Sequence, residues 1–339
     1  MQKKYLSVTV AGFALLVLIL DTKTALSGAA EGIRLCMQTV IPSLFPFLVL
    51  SIWLTTNLLG QTIPPIRWLC RLLKIPDGAE SLVIIGFLGG YPVGAQCVSE
   101  AVHNGTISRE SGQRMLAFCS NAGPAFLFGI GSIIFPDRWM CWAIWLIHIA
   151  SAIIVGILTP GILNETAAFN TKQKVTFSQS MHRAIRTMAS ICGWVVLFRI
   201  GITFCQQWFL WYFPAEIQCL LTGILEMTNG CCNLAIIPHI PSRFMICTLL
   251  INLGGICVLM QTYSVTIGLN ANYYLPGKIC QCTISFLLSL AILYPASRLP
   301  ALVILSAGIT CIYFLQKTPE KRMAFFRRLL YNKRNSLRR

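Results

Sequence analysis

An all-α integral membrane protein, with about eight transmembrane helices and two re-entrant helical hairpins set in an inverted repeat, is the fold class this sequence predicts. Three observations predict it. Of 339 residues, 55% are hydrophobic and only 11% are charged, where ordinary soluble domains carry about 25% charge. Apolar runs of about 20 residues, the length needed to cross a bilayer, recur along the chain. Two further apolar runs are interrupted by glycines and polar residues. Disorder is excluded by the same composition, because it requires low hydrophobicity.

The elements follow in order. Lys3 and Lys4 precede the apolar run from Leu6 to Leu20, and Asp21-Thr22-Lys23 is a poor cleavage site, so this run reads as an uncleaved first span. Further spans are expected at roughly 36–59, 114–135, 139–160, 188–211, 245–267, 279–295 and 299–316. Ile63 to Ile75, with Arg67, Arg71 and Lys74, reads as an interfacial helix. A second basic loop carries Lys172, Lys174, Arg183 and Arg186. With the N-terminus in the cytoplasm, alternation puts both loops and the C-terminus there too, as the positive-inside rule requires. The net charge is +16, and the tail from Lys317 to Arg339 holds nine basic residues against Glu320 alone. A basic stretch directly after a span is a topology anchor resting on anionic lipid. No base-reading module accompanies it, so no nucleic-acid partner is expected.

The runs that do not fit as spans are Ser81 to Cys97, with Gly86, Gly89, Gly90, Pro92 and Gly94, and Ile217 to Leu234, with Glu226, Thr228, Asn229 and Gly230. Non-helical backbone at bilayer depth persists only where protein or a wet cavity satisfies its polar groups. Both are therefore expected to be re-entrant hairpins. They also superpose. Ala79-Glu80 matches Ala215-Glu216 and Gly94 matches Gly230 at an offset of 136, and Asn121-Ala122-Gly123-Pro124 lies over Asn252-Leu253-Gly254-Gly255 at 131. Ile33-Arg34 and Ile185-Arg186 sit in the two lead-ins. The first unit starts from the outside and the second from the inside, an inverted repeat of the kind that builds transporters. The expected division is a first helix at 1–24, a repeat at 25–160, a cytoplasmic linker at 161–180, a second repeat at 181–295, a last helix at 296–316 and the basic tail at 317–339.

A substrate site is expected between the halves. Broken helices present free N–H groups and a positive dipole end, which suit a carboxylate. Gly90, Pro92, Gly94 and Gly230 either line that site or permit tight hairpin packing. Tyr91, Thr228 and Asn229 offer side-chain hydrogen bonds, and Ser120, Asn121, Asn252, Gln261 and Thr262 form a polar stripe. The two Asn side chains hold either substrate or freed backbone. Glu226 is the only acid within the hairpins' apolar runs and Arg199 is centred in a span. Intramembrane charges are seldom idle. The two either reach the cavity, Arg199 facing an anionic solute, or pair with each other. The 15 cysteines lie along apolar runs without a C-x-x-C, and the four histidines are scattered, so neither metal nor cofactor is expected. No intramembrane catalytic set and no nucleotide-binding loop appear, so no enzyme activity is expected.

Gly90-Tyr91-Pro92-Val93-Gly94-Ala95 resembles the G-Y-P-x-G-A motif of sporulation integral membrane proteins of the YlbJ type. Ser120-Asn121-Ala122-Gly123-Pro124-Ala125-Phe126-Leu127-Phe128-Gly129 resembles the segment that follows it. Glu226-Met227-Thr228-Asn229-Gly230, Gly254-Gly255 with Gln261-Thr262, and Ile41-Pro42-Ser43-Leu44-Phe45-Pro46-Phe47 look like further counterparts. These proteins belong to the nucleoside-recognition, or gate, domain group, similar to concentrative nucleoside transporters and to the gate of ferrous-iron transporters. The resemblance implies a bacterial cell-membrane transporter of a small anionic solute, with dipicolinate moving into the forespore across its outer membrane. A nucleoside or ion transporter, or a non-transporting scaffold for spore formation, are the alternatives. Expected partners are membrane lipid, the solute, and either a second copy of the chain or other sporulation membrane proteins.

Overall fold

The structure is a computed structural model and describes residues 2–161, 175–266 and 268–317. The basic tail beyond Lys317, and most of the expected linker with its Lys172 and Lys174, lie outside the described residues. Every element among the described residues is helical.

Helix α1 (Gln2–Leu20) ends at Asp21, whose side chain caps α2 (Thr22–Leu35) by accepting from the Thr24 amide at 3.1 Å. A π-helical stretch, Cys36–Val40, joins α2 to α3 (Ile41–Leu58). It lies directly before Pro42, whose missing N–H interrupts the helical ladder. Amphipathic α4 (Pro64–Leu72) starts on prolines that suit a first turn and leads to a hairpin of α5 (Glu80–Leu88) and α6 (Val93–His103). Short α7 (Arg109–Met115) gives way to non-helical backbone before α8 (Pro124–Ile134), and α9 (Arg138–Leu158) closes the first half.

The second half repeats this order. A capping box of Thr176 and Gln179 opens α10 (Phe177–Trp208). A second hairpin follows, α11 (Ala215–Leu225) and α12 (Met227–Asn233). Next come α13 (Ile240–Leu253) and α14 (Gly255–Val265), separated by a left-handed turn at Gly254 and Gly255, then α15 (Tyr274–Leu293) and finally α16 (Arg298–Lys317).

Two seams bind the halves, and a third tie holds the first half together. Helix α2 lies on α10 through Gly28 and Gly32, where an added β-carbon would stand 2.9 Å from the Ile200 and Val196 Cα atoms, a small-residue approach common between membrane helices. Helix α15 packs on both α9 and α13. Buried Arg114 ties α7 to helix C-termini, donating to the carbonyls of Leu73, Lys74, Gly156 and Thr159. These carbonyls lie in the last turn of α9 or just past the ends of α4 and α9, where helical partners run out, and an arginine fork satisfies several at once. The outer face is apolar, with Ile133, Leu146, Leu197 and Leu302 exposed. An apolar surface of that extent fits a lipid environment and not water.

Among the described residues, five helices are long and apolar enough to cross a membrane: Thr22–Leu58, Arg138–Leu158, Phe177–Trp208, Ile240–Val265 and Tyr274–Leu293. Several expected spans change accordingly. The span placed at 36–59 is the second part of one 37-residue rod, and its supposed lead-in is the first part. The span placed at 188–211 begins eleven residues earlier, at Phe177. The expected 114–135 span is no continuous helix: 116–123 is non-helical, because the carbonyl-rich segment before Pro124 is held by side chains instead of by an α-helical ladder. The span at 245–267 is likewise broken at Gly254.

Candidate functional site

Both hairpins are held shut by glycine. At the first tip the chain leaves α5 at Gly89, passes Gly90 at φ +81° and a cis Tyr91–Pro92 bond, and enters α6, with Pro92 as its N-cap. Only glycine adopts that positive φ without a penalty. One turn on, a β-carbon at Gly94 would meet the Cys119 carbonyl and stand 3.0 Å from the Gly86 Cα. In the second hairpin a β-carbon at Gly230 would collide with the Cα of Gly223, and one at Gly255 would stand 2.7 Å from the Gly223 carbonyl oxygen. Gly94 and Gly230 thus face neighbouring backbone at equivalent helix crossings. Gly90 lies beside Leu44 and Gly123.

Between the tips lies a small cavity of about 30 Å³, walled by Tyr91, Ala122 and Gly123 from the first half and by Glu226, Thr228 and Gln261 from the second. That volume has room for about two waters and lies well below the size of a solute pocket. Glu226 does not pair with Arg199. Its carboxylate caps α12, accepting from the Thr228 amide at 3.0 Å, the Asn229 amide at 2.7 Å and the Asn229 side-chain Nδ2 at 2.7 Å. Arg199 instead forms an ion pair with Glu31 on the α2–α10 seam, away from the cavity wall. The physical reason is distance along the fold: Arg199 sits at the level of Gly32 on α10, and the free N–H groups of the broken helix already satisfy Glu226.

Behind Tyr91 a buried polar core joins the halves. Lys278, on α15, is 1% exposed. Its Nζ donates to the Tyr91 hydroxyl at 3.1 Å, to Asn121 Oδ1 at 3.3 Å and to Gln281 Oε1 at 2.8 Å. Three ammonium protons meet three neutral oxygens, and the ammonium also stands 5.0 Å from the Tyr91 ring centre. None of the ion pairs among the described residues includes Lys278.

Each partner is itself fixed. The Tyr91 hydroxyl donates to the Ile251 carbonyl, in the last turn of α13, at 3.2 Å. Asn121 Nδ2 donates to the carbonyls of Gly86 at 3.0 Å and Phe118 at 2.7 Å, both next to breaks, while its Oδ1 also accepts from Gln281 Nε2 at 3.0 Å. His148 Nε2 accepts from the Ala122 amide at 3.1 Å, which leaves Nδ1 as the proton carrier facing Asn252 Oδ1 at 2.9 Å. Ser151 donates to the same Oδ1 at 3.0 Å, and Asn252 Nδ2 donates to the Thr248 carbonyl at 2.7 Å. The two matched asparagines therefore end up in one network. By contrast, the hydroxyls of Ser120, Thr262 and Tyr274 are buried and make no hydrogen bond of standard geometry.

Of the expected site residues, Tyr91, Glu226, Thr228 and Gln261 reach the cavity wall, and Ser120, Asn121 and Asn252 lie in the core around it. Asn229 holds Glu226, whereas Gly94 and Gly230 serve packing and Arg199 the α2–α10 seam. Sequence reasoning missed Lys278, Gln281 and His148. Lys278 stood one residue before an expected span, outside any search for intramembrane charge. The spacing of Lys278 and Gln281, one helical turn apart in an apolar run, was the available signal. The orphaned carboxylate of buried Glu80, at the start of α5, was a further silent feature.

No family model and no solved structure matches the chain. The chain is similar to the sporulation integral membrane protein YlbJ of Bacillus subtilis (strain 168), at 25% identity over 144 residues, which cover 41% of this chain and 34% of that protein. The chain thus spans about a third of the length of that curated relative. The likeness is a distant one, and with the apolar helices it marks an all-α membrane protein.

Proposed function

We propose that this chain is a membrane transporter of a small anionic solute, which enters the cavity between two inversely oriented halves as that cavity widens and is exposed to either side in turn. The observation that carries this reading is the pairing of a cavity walled by the broken elements of both halves with a buried cation, Lys278, that no acid neutralises. A buried charge without a counter-ion is costly and marks function more often than structure. The second hairpin tip does not cancel it, because Glu226 is engaged by the N–H groups of its own helix.

In this reading the short hairpins α5–α6 and α11–α12 are re-entrant, and closure depends on their glycine crossings. Tyr91 couples the two functions, since it lines the cavity, accepts from Lys278 and donates to α13. A solute carboxylate that drew Lys278 away from Tyr91 would loosen the tie between the first hairpin and α13. The name of the similar Bacillus protein makes sporulation the first setting to examine, and the motif resemblance makes dipicolinate the first solute. Flux into vesicles containing the purified protein tests the reading, with dipicolinate and uridine as parallel solutes. Dipicolinate uptake that is lost in Lys278→Met is expected. Uridine uptake without dipicolinate uptake, or equal dipicolinate uptake by Lys278→Met, would overturn it.

A further inference from the structure

The polar core contains three hydroxyls that the network leaves idle. Ser120, in the backbone between α7 and α8, and Thr262, on α14, are fully buried, and Tyr274, on α15, is 1% exposed. Their oxygens make no hydrogen bond of standard geometry, although the Tyr274 hydroxyl lies close enough to those of Ser120 and Thr262 to interact weakly with both. Leaving a buried hydroxyl unpaired costs about 1–3 kcal/mol. Three in one cluster are hard to explain as packing, since Ala, Val and Phe would fill the same space without that cost.

Their placement points to a ligand. Tyr274 stands one helical turn before Lys278, whose ammonium is 5.9 Å from the Tyr274 ring centre. Ser120 precedes Asn121, which holds that ammonium, and Thr262 follows Gln261, which lines the cavity. The cluster therefore adjoins the cation, lies behind the cavity wall that Gln261 and Ala122 form, and draws on each half. Three O–H groups that converge beside an ammonium suit an oxyanion: each donates one hydrogen bond, and a carboxylate oxygen pair accepts several. A neutral amide of the same shape brings its own donors and no charge.

We propose that Ser120, Thr262 and Tyr274, beside Lys278, form a subsite that takes one carboxylate group of the transported solute. This rests on the transporter reading and specifies the solute as a carboxylate. On binding, Lys278 exchanges one of its neutral oxygen partners for the carboxylate, and the three hydroxyls gain the partners they lack.

The test is calorimetric titration of the full-length protein in nanodiscs with benzoate and dipicolinate, against benzamide as the neutral isostere. Tyr274→Phe, Thr262→Val and Ser120→Ala each remove a hydroxyl with little change of shape. Both carboxylates are expected to bind the wild type, with benzamide weaker by at least about tenfold, and each variant to weaken carboxylate binding by about tenfold, the range for a hydrogen bond to a charged group. The thermal midpoint should hold or rise, because no protein hydrogen bond of standard geometry is lost. Failure of both carboxylates to bind the wild type, unchanged affinity in all three variants, or a fall in midpoint common to all three would overturn the subsite. The last outcome would mark the hydroxyls as ties for structural water. Carboxylate binding that depends on the hydroxyls, without flux in vesicles, would refute transport and leave the subsite standing. Flux indifferent to all three substitutions would refute the subsite and leave transport standing.

Discussion

The two hairpin tips solve the same problem with different chemistry. Each must turn a chain between two short apolar helices and satisfy the backbone groups exposed by the break. The second tip does so with a carboxylate: Glu226 takes two amides and a side-chain amide of its own α12, and its charge is used up locally. The first tip has no charge. It turns through Gly90 and the cis Tyr91–Pro92 bond, and its loose ends are satisfied from elsewhere, with Asn121 taking the Gly86 carbonyl and Tyr91 reaching to Ile251. One tip is self-contained, and the other depends on the opposite half. This difference leaves Lys278 coordinated by neutral oxygens only, and so gives the shared core a positive character that the acid across the cavity does not offset.

The comparison breaks most completely at the glycine crossings that both tips share. Gly94→Val and Gly230→Val push a side chain into backbone, where overpacking costs about 1–3 kcal/mol or more. Both variants should lose the monodisperse peak in size-exclusion chromatography, while Gly129→Ala and Gly193→Ala, at positions with open space, should keep it. If only one of the two hairpin variants fails, the tips do not share a packing requirement.

Lys278→Met sharpens the electrical half of the comparison. Carboxylate affinity should fall about 100-fold, as expected for removal of a buried charged partner, without a lower thermal midpoint. Glu226→Ala should show the reverse: a stability loss of about 2 kcal/mol from three orphaned donors, with carboxylate affinity nearly kept in the protein that remains folded. Matched titration and melting curves on both variants decide it, and a Glu226→Ala protein that melts normally would refute the capping role. The smallest effect is expected at Arg199→Gln. Its pairing with Glu31 lies on a separate seam, so carboxylate affinity should stay within about twofold, as for independent sites.

Much of this architecture was legible in the residues. The glycines and Pro92 at 86–94 announced the first break, because a helix without N–H donors or Cβ atoms at those positions does not run on, and the polar cluster at 226–230 announced the second, where Glu226 caps a new helix. The recurring Asn-x-Gly marked both broken helices, although both were expected as continuous spans. Hydropathy counts apolar side chains and is blind to where the backbone ladder stops. Arg199 and Glu226 looked like partners because they were the conspicuous charges, yet each found a nearer one. Lys278 was passed over because a lysine at the rim of an apolar run is ordinary when it reaches water or lipid headgroups.

The sequence by itself determined the helical membrane class and the positions of the breaks within the two hairpin runs. Those follow from side-chain hydrophobicity and local backbone chemistry, which act over a few residues. Only the tertiary structure decided which polar groups meet. Lys278, Tyr91 and Asn121 are far apart in the chain, and their meeting depends on how glycine crossings let α15 settle between the broken helices of both halves. A charge's role is set by the groups within a few ångströms of it, and those neighbours are assigned by packing.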